Sequence, residues 1–311
     1  MILVLAPQPA LERVALVDPF QAGQAPKKPT RVLTFAGGPG LRAARVAHLL
    51  GAEVFALSFA GGQLGNLLRE NLEKENIAHV LVPTAAPTRG DLLTLDRENG
   101  VAHDVPGPVS PVTPDEADRF LSRFSEHLPG ANLTILAGND SGLPLDFWQR
   151  AFTLARQNNV PVLADLSGDA LDAAKIGGAW LVRVNLHNFQ RYAETSLMHD
   201  SAIVGEARRL LEQGVQNVVV TLGDEGALLI NGTGAWRVKA PVVSHFNPTG
   251  AGETLSGALA AYYTRTGDLL ESLRYGCAAA SVNVTYDAPG YASSGEVGVL
   301  FPRTVAGPLV L

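Results

Sequence analysis

Short, nearly apolar runs recur along the chain and alternate with segments whose apolar residues return every three or four positions. Runs of the first kind occupy 133–137, 160–164, 180–184 and 218–222, each bounded by turn-forming residues. Helical patterns lie between them at about 144–158, 168–176 and 200–213. Strands that are apolar throughout belong to a sheet covered on both faces, and regular alternation with helices makes that sheet parallel. The C-terminal half is therefore read as a layered α/β fold. Segments 228–230 and 236–238, joined through Asn231-Gly232, predict an antiparallel hairpin at the sheet edge. The N-terminal part is mixed, with strands at 2–6 and 53–59 and helices near 41–50 and 64–76.

A different pattern appears between Asp91 and Val105. Segments 92–95 and 101–105 flank Glu98-Asn99-Gly100, a hairpin signal with no helical pattern on either side. Residues 6–35 are rich in proline and alternate apolar positions such as Val14 and Leu16, so they can supply further strands. The expectation is one α/β domain spanning 1–311, with a small, discontinuous β lid from about 6–35 and 88–106.

The segment with the most chemistry in it is Asn247-Pro248-Thr249-Gly250-Ala251-Gly252-Glu253. Glycines open backbone conformations closed to other residues, and the unpaired N–H groups at a helix start attract negative charge. A helix follows, since Leu255, Leu259 and Tyr262 recur at helical spacing while Gly257, Ala258, Ala260 and Ala261 permit close packing. Glu253 stands where a carboxylate meets an acceptor hydroxyl, so the segment reads as a phosphoryl-transfer site. Taken alone, a bare Gly-x-Gly reads more readily as an ordinary glycine turn before a buried helix, since short glycine motifs match often by chance. A lid would matter at such a site, because excluding water protects the phosphoryl donor from hydrolysis.

Composition removes several alternatives. Of 311 residues, 46% are hydrophobic and 17% charged, enough to bury a large core. The formal charge is -6 and no run of Lys and Arg could track a nucleic-acid backbone, so nucleic acid is not an expected partner. A single cysteine, Cys277, allows no internal disulfide and fits a reducing compartment. No apolar run approaches a membrane span, and a cytoplasmic protein without a membrane partner is expected. The seven histidines show no metal-binding spacing, and no Gly-x-x-x-x-Gly-Lys-Ser/Thr occurs.

Set side by side, Gly37-Gly38-Pro39-Gly40, Thr88-Arg89, Gly107-Pro108, Leu166-Ser167-Gly168, Leu222 to Ala227 and Asn247-Pro248 resemble the ribokinase-like PfkB carbohydrate kinases over nearly the whole chain. The branch most resembled is that of the tagatose-6-phosphate kinases and 1-phosphofructokinases. The resemblance implies a three-layer α/β/α domain with a central, mostly parallel sheet plus the β lid. It implies that Gly250, Ala251 and Gly252 form an anion hole with Glu253 as catalytic base. It places Thr221, Gly223, Gly226 and Asn283 on the ATP side, and Glu12, Gly37, Gly38, Gly40, Arg42 and Arg89 on the acceptor side. A guanidinium suits a substrate phosphate in charge and shape.

Several polar positions depart from the family pattern. Glu253 stands for Asp, Glu12 for Asp, Gln8 for Asn, Pro39 for Lys, Arg42 for a sugar-contacting Asn, and Asn188 for a Glu in the metal-shell Asn-x-x-Glu that begins at Asn185. The expected activity is ATP-dependent phosphorylation of a phosphorylated ketohexose, with Mg2+ as the partner of ATP and Asn185 as its candidate ligand. The alternatives are a kinase for a non-phosphorylated sugar or nucleoside and a catalytically impaired sugar-phosphate-binding protein. Exposed lid strands would suit a homodimer.

Overall fold

Five consecutive buried residues form β1 (Ile2–Ala6), which lies inside a ten-stranded sheet in the computed structural model, where residues 1–18 and 28–309 are described. Residues 19–27, part of the stretch expected to supply the lid, lie outside the described residues. After β1 come β2 (Ala10–Val17), β3 (Arg31–Gly37), α1 (Pro39–Leu49), β4 (Val54–Ala60), α2 (Gly62–Lys74), β5 (Ala78–Pro83), β6 (Arg89–Asp96) and β7 (Val101–Val105). The middle of the chain contributes α3 (Pro114–His127), β8 (Leu133–Gly138), α4 (Phe147–Gln157), β9 (Val162–Leu166), α5 (Ala170–Gly177), β10 (Leu181–Asn185), α6 (Leu186–Tyr192) and α7 (Asp200–Glu212). It ends with β11 (Asn217–Thr221), β12 (Ala227–Asn231), β13 (Gly234–Lys239), α8 (Ala251–Thr266), α9 (Leu269–Asn283), α10 (Ser294–Leu300) and β14 (Val305–Pro308).

The large sheet runs β14-β13-β12-β11-β10-β9-β8-β1-β4-β5. The seven strands from β11 to β5 are parallel, and β12, β13 and β14 extend the sheet antiparallel. Side chains alternate across each strand, so Leu3 and Leu5 face one core while Ile2 and Val4 face another. The first core is closed by Phe120, Phe124, Trp148 and Phe152, and the second by Leu41, Val46, Leu255, Leu259 and Val282. Two covered faces make the three-layer α/β/α architecture that the sequence pattern predicts. Among the described residues no helix is long and apolar enough to cross a membrane.

The second sheet, β3-β2-β6-β7, is small and separate. Its register sets Glu12 opposite Asp91 and Leu93 opposite Asp104, so these acids share one face with Val14, Leu16, Leu93 and Leu95, which pack beside Phe246. In the large sheet, β1 leads through β4 to β5 on one side, and the chain then crosses to β8 on the other. That reversal leaves a crevice at the carboxyl ends of β1 and β8, the place where open α/β sheets bind ligands. Gln8 spans it: its Nε2 donates to Asn139 Oδ1 at 2.8 Å and its Oε1 accepts the Asn139 N–H at 3.0 Å.

Candidate active site

Two buried amide side chains build the turn before α8. Asn247 accepts the Thr249 N–H at 3.1 Å and donates to the carbonyls of Tyr286 and Asp287 at 3.0 and 3.2 Å. Asn283 donates to the Thr249 carbonyl at 2.9 Å, while its Oδ1 accepts from Thr254 Oγ1 at 3.1 Å and from the Gly290 N–H at 2.8 Å. Held from both sides, Gly250 takes a left-handed conformation with φ 82°, where a Cβ would lie 2.6 Å from the Gly290 nitrogen. Asn283, expected on the ATP side, is fully buried, and its amide is engaged by Thr249, Thr254 and Gly290, so it shapes the turn.

The anion hole also differs in detail from the expectation. Ala251 donates its N–H back to the Pro248 carbonyl at 3.3 Å. Among the described residues no acceptor meets the N–H groups of Gly250, Gly252 or Glu253. These first-turn donors are the ones open to an anion. They belong to the wall of a cavity of about 280 Å3 shared by Pro39, Gly138, Asp165, Arg183, Asn185 and Asn188.

Arg183 and Asp165 are functional candidates that the sequence pattern did not expose. They stand on neighbouring strands, with Arg183 Nη1 2.9 Å from Asp165 Oδ1, and Ser256 on α8 donates to Asp165 Oδ2 at 2.7 Å. Arg183 also donates to Thr221 Oγ1 at 3.4 Å, and its buried Nε has no partner. A cation thus lies against Gly252, whose missing side chain leaves the space the guanidinium occupies. The available signal was an arginine inside an otherwise apolar buried run at 180–184.

Among the residues expected on the acceptor side, one guanidinium joins two acids. Arg42 on α1 places Nη2 2.7 Å from Glu12 Oε1 and Nη1 3.3 Å from Glu253 Oε1. Burial opposes the Arg42 charge, but Glu12 and Glu253 outweigh it and raise the guanidinium pKa well above the ordinary arginine value. Glu12 Oε1 also accepts the Gly38 N–H at 2.7 Å, while the buried Oε2 has no partner. Arg89 meets Asp91 at 3.2 Å and keeps its buried Nε unpartnered. Burial pushes the Asp104 carboxyl up from the usual range, Arg42 opposes this, and Asp91 and Glu12 reinforce it.

The glycines near these groups have packing roles. A Cβ on Gly37 would enter the Glu12 carboxylate, one on Gly38 would strike the Gln8 carbonyl, and one on Gly40 would lie 2.5 Å from Ala6 Cβ. On the sides where a Cβ would project, these glycines meet the protein itself, and they let α1 approach β1. Of the glycines expected on the ATP side, Gly226 is likewise closed by the Val238 carbonyl, whereas Gly223, with φ 67°, faces open space. Asn185 caps α6 by accepting the Asn188 N–H at 2.7 Å, so its side-chain oxygen is not idle. Of the two carboxylates lining the cavity beside it, Asp165 is engaged by Arg183 and Ser256, and Glu253 meets Arg42. Among the described residues no group of three or more His, Cys, Asp or Glu could hold a metal ion. This donor set does not make a protein cage for Mg2+.

Residues 11–294 match the pfkB family carbohydrate kinases. The chain belongs to that family. It is 26% identical to the 1-phosphofructokinase of Escherichia coli over 96% of each chain. It is 24% identical to the 1-phosphofructokinase of Bacillus subtilis over 90% of this chain and 91% of that one. The ATP-dependent 6-phosphofructokinase isozyme 2 of Mycobacterium tuberculosis is 26% identical over 78% of this chain and 72% of its own. Phosphofructokinase-2 from Escherichia coli, solved with substrates and products, superposes with a TM-score of 0.90 at 24% identity, covering 97% and 98% of the two chains. That likeness shows the fold, and family membership makes this pfkB protein a phosphotransferase.

Proposed function

We propose that this pfkB protein transfers the γ-phosphoryl group of ATP to a hydroxyl of a phosphorylated ketohexose of the tagatose 6-phosphate or fructose 1-phosphate type. Mg2+ bound to ATP would supply neutralisation of the phosphate charge. The observation that carries the reading is the first turn of α8, where unengaged amides and the Glu253 carboxylate line one cavity. The acceptor oxygen attacks the γ-phosphorus while its proton passes to Glu253 Oε2. The bond from that phosphorus to the β,γ-bridging oxygen breaks, and ADP leaves with the electron pair. Amides of Gly250, Gly252 and Glu253, backed by Arg183, stabilise the charge on the moving group, each such donor being worth roughly a hundred- to a thousandfold. The general base adds roughly a hundred- to ten-thousandfold.

The unpartnered groups on the acceptor side fit a sugar phosphate. Glu12 Oε2 can accept from a sugar hydroxyl, and the Nε donors of Arg42 and Arg89 suit anionic oxygens. The phosphofructokinases among the relatives act on acceptors of this class. The test is ADP release with fructose 1-phosphate, tagatose 6-phosphate, fructose 6-phosphate, free sugars and nucleosides. Turnover of at least one sugar phosphate, abolished by Glu253→Gln, is expected. Full activity of Glu253→Gln removes the base assignment, and turnover of unphosphorylated acceptors alone, unmoved by Arg89→Met, removes the substrate class.

The small sheet also suits a homodimer, because Val32, Leu92, Val101 and Val105 leave apolar surface exposed there. Sedimentation of wild type as a dimer, and of Leu92→Lys as a monomer, is the expected result. A monomeric wild type rejects the proposal.

A further inference from the structure

Glu253 has two carboxylate oxygens, and the surroundings treat them differently. Oε1 faces Arg42 Nη1 at 3.3 Å. Among the described residues no donor reaches Oε2. A carboxylate on a free side chain rotates, and either oxygen then faces the reacting hydroxyl only part of the time. A cation fixed to one oxygen removes that freedom and leaves the other aimed.

Arg42 is itself fixed. Its stem packs against Gly290, where a Cβ would lie 2.6 Å from Arg42 Cβ and 3.0 Å from Cγ. Gly290 is held in turn by Asn283, the same side chain that fixes the Gly250 turn. At the far end of the guanidinium, Glu12 takes Nη2 at 2.7 Å and is locked by the Gly38 N–H. The arginine is a largely buried strut between two carboxylates, Glu12 from β2 of the small sheet and Glu253 from α8.

We propose that Arg42 is a positioning residue for Glu253: it holds Oε1 so that Oε2 receives the acceptor proton, and it ties that base to the sugar-side carboxylate Glu12. This rests on the kinase reading above, with Glu253 as the base, and differs from the sequence-based expectation that Arg42 is a substrate-binding residue. Positioning and phosphate binding leave different kinetic marks. Loss of aim lowers kcat, whereas loss of a substrate contact made equally in ground and transition states raises KM.

The experiment compares wild type, Arg42→Gln, Arg42→Lys, Glu253→Gln and the double variant Arg42→Gln/Glu253→Gln, with kcat and both KM values measured for the best sugar phosphate. Arg42→Gln should lower kcat on the order of a hundredfold, the usual effect of misplacing a reacting group by about 1 Å, with the KM for ATP unchanged. Glu253→Gln should then cost much less in the Arg42→Gln background than in wild type, since residues acting as one unit are not additive. Lysine keeps the charge but cannot fork across two carboxylates, so Arg42→Lys should bind both substrates and still turn over slowly. If Arg42→Gln does not fold, as judged by circular dichroism, Arg42→Lys decides the matter. A rise confined to the acceptor KM with kcat intact, or strict additivity with Glu253→Gln, overturns the proposal and leaves the kinase reading standing. A harmless Glu253→Gln, in contrast, strikes the kinase reading itself.

Discussion

Gly252→Ala tests the stacking of the phosphoryl site on its buried cation. A Cβ at 252 would lie 2.6 Å from Arg183 Nη1 and closer still to Cζ and Nη2. Non-bonded heavy atoms settle at about 3.5 Å, so the guanidinium must retreat by about 1 Å or more. Retreat is not free, because Arg183 is about as buried as Asp165, the two meet at 2.9 Å, and Ser256 fixes the other Asp165 oxygen. Overpacking alone costs roughly 1–3 kcal/mol, and full loss of a buried ion pair roughly 3–5 kcal/mol. Partial loss of the pair sets the expected destabilisation at about 3 kcal/mol, large against the roughly 5–15 kcal/mol of a typical protein. Urea unfolding should show a lower midpoint with an unchanged slope. Turnover should fall as well, since the amides of the first α8 turn move with the new methyl group. A change under about 0.5 kcal/mol would falsify the claim that the glycine at 252 exists to admit Arg183.

Two further outcomes follow from groups away from the reacting atoms. Asn283→Leu leaves the Gly290 N–H and the Thr249 carbonyl without partners, and about 2–4 kcal/mol of stability should be lost; a rise in the ATP KM with unchanged stability would instead favour a direct nucleotide contact. Burial acts to raise the Glu116 pKa, but N–H groups of Thr113 and Ala85 outweigh it and hold the carboxyl below the usual range. A depressed folded-state value means that Glu116 stabilises the fold above the ordinary glutamate pKa of about 4.3 and that this share is lost as pH falls through the lower folded value. Glu116→Gln should therefore flatten the acid limb of urea midpoint against pH, and an unchanged limb would refute the assignment.

How far the sequence could be read depended on whether a local pattern or a distant contact decided each point. Runs at 133–137 and 218–222 became β8 and β11 within a residue, because strands buried on both faces are apolar wherever they are inspected. The hairpin around Glu98-Asn99-Gly100 was equally legible from its turn. α3 was passed over although Thr113 and Glu116 form a capping box at its start. β14 was also missed, since Val305–Pro308 is short, contains glycine and proline, and acquires strand form only by pairing with β13. At the site, the Gly250 turn and Glu253 were visible as a motif. The partners of Arg42 and Arg183 were not, because Glu12, Glu253 and Asp165 meet them only after the sheets assemble. The partners of Asn283 were hidden for the same reason: a polar residue near a helix end looks available until the loop that engages it is in place.

The contact between Arg42 and Glu12 crosses from the body of the protein to the small sheet. Any swing of that sheet away from α1 drags an acid out of reach of its counter-charge, in surroundings where water is scarce. Opening the cleft thus carries an electrostatic load, and a sugar whose hydroxyls take over the Glu12 oxygens would lighten it. With Glu253 as the proposed base, substrate exchange by such a swing would be geared to the same charges that aim it, so mutations chosen to speed release should blunt the chemistry too.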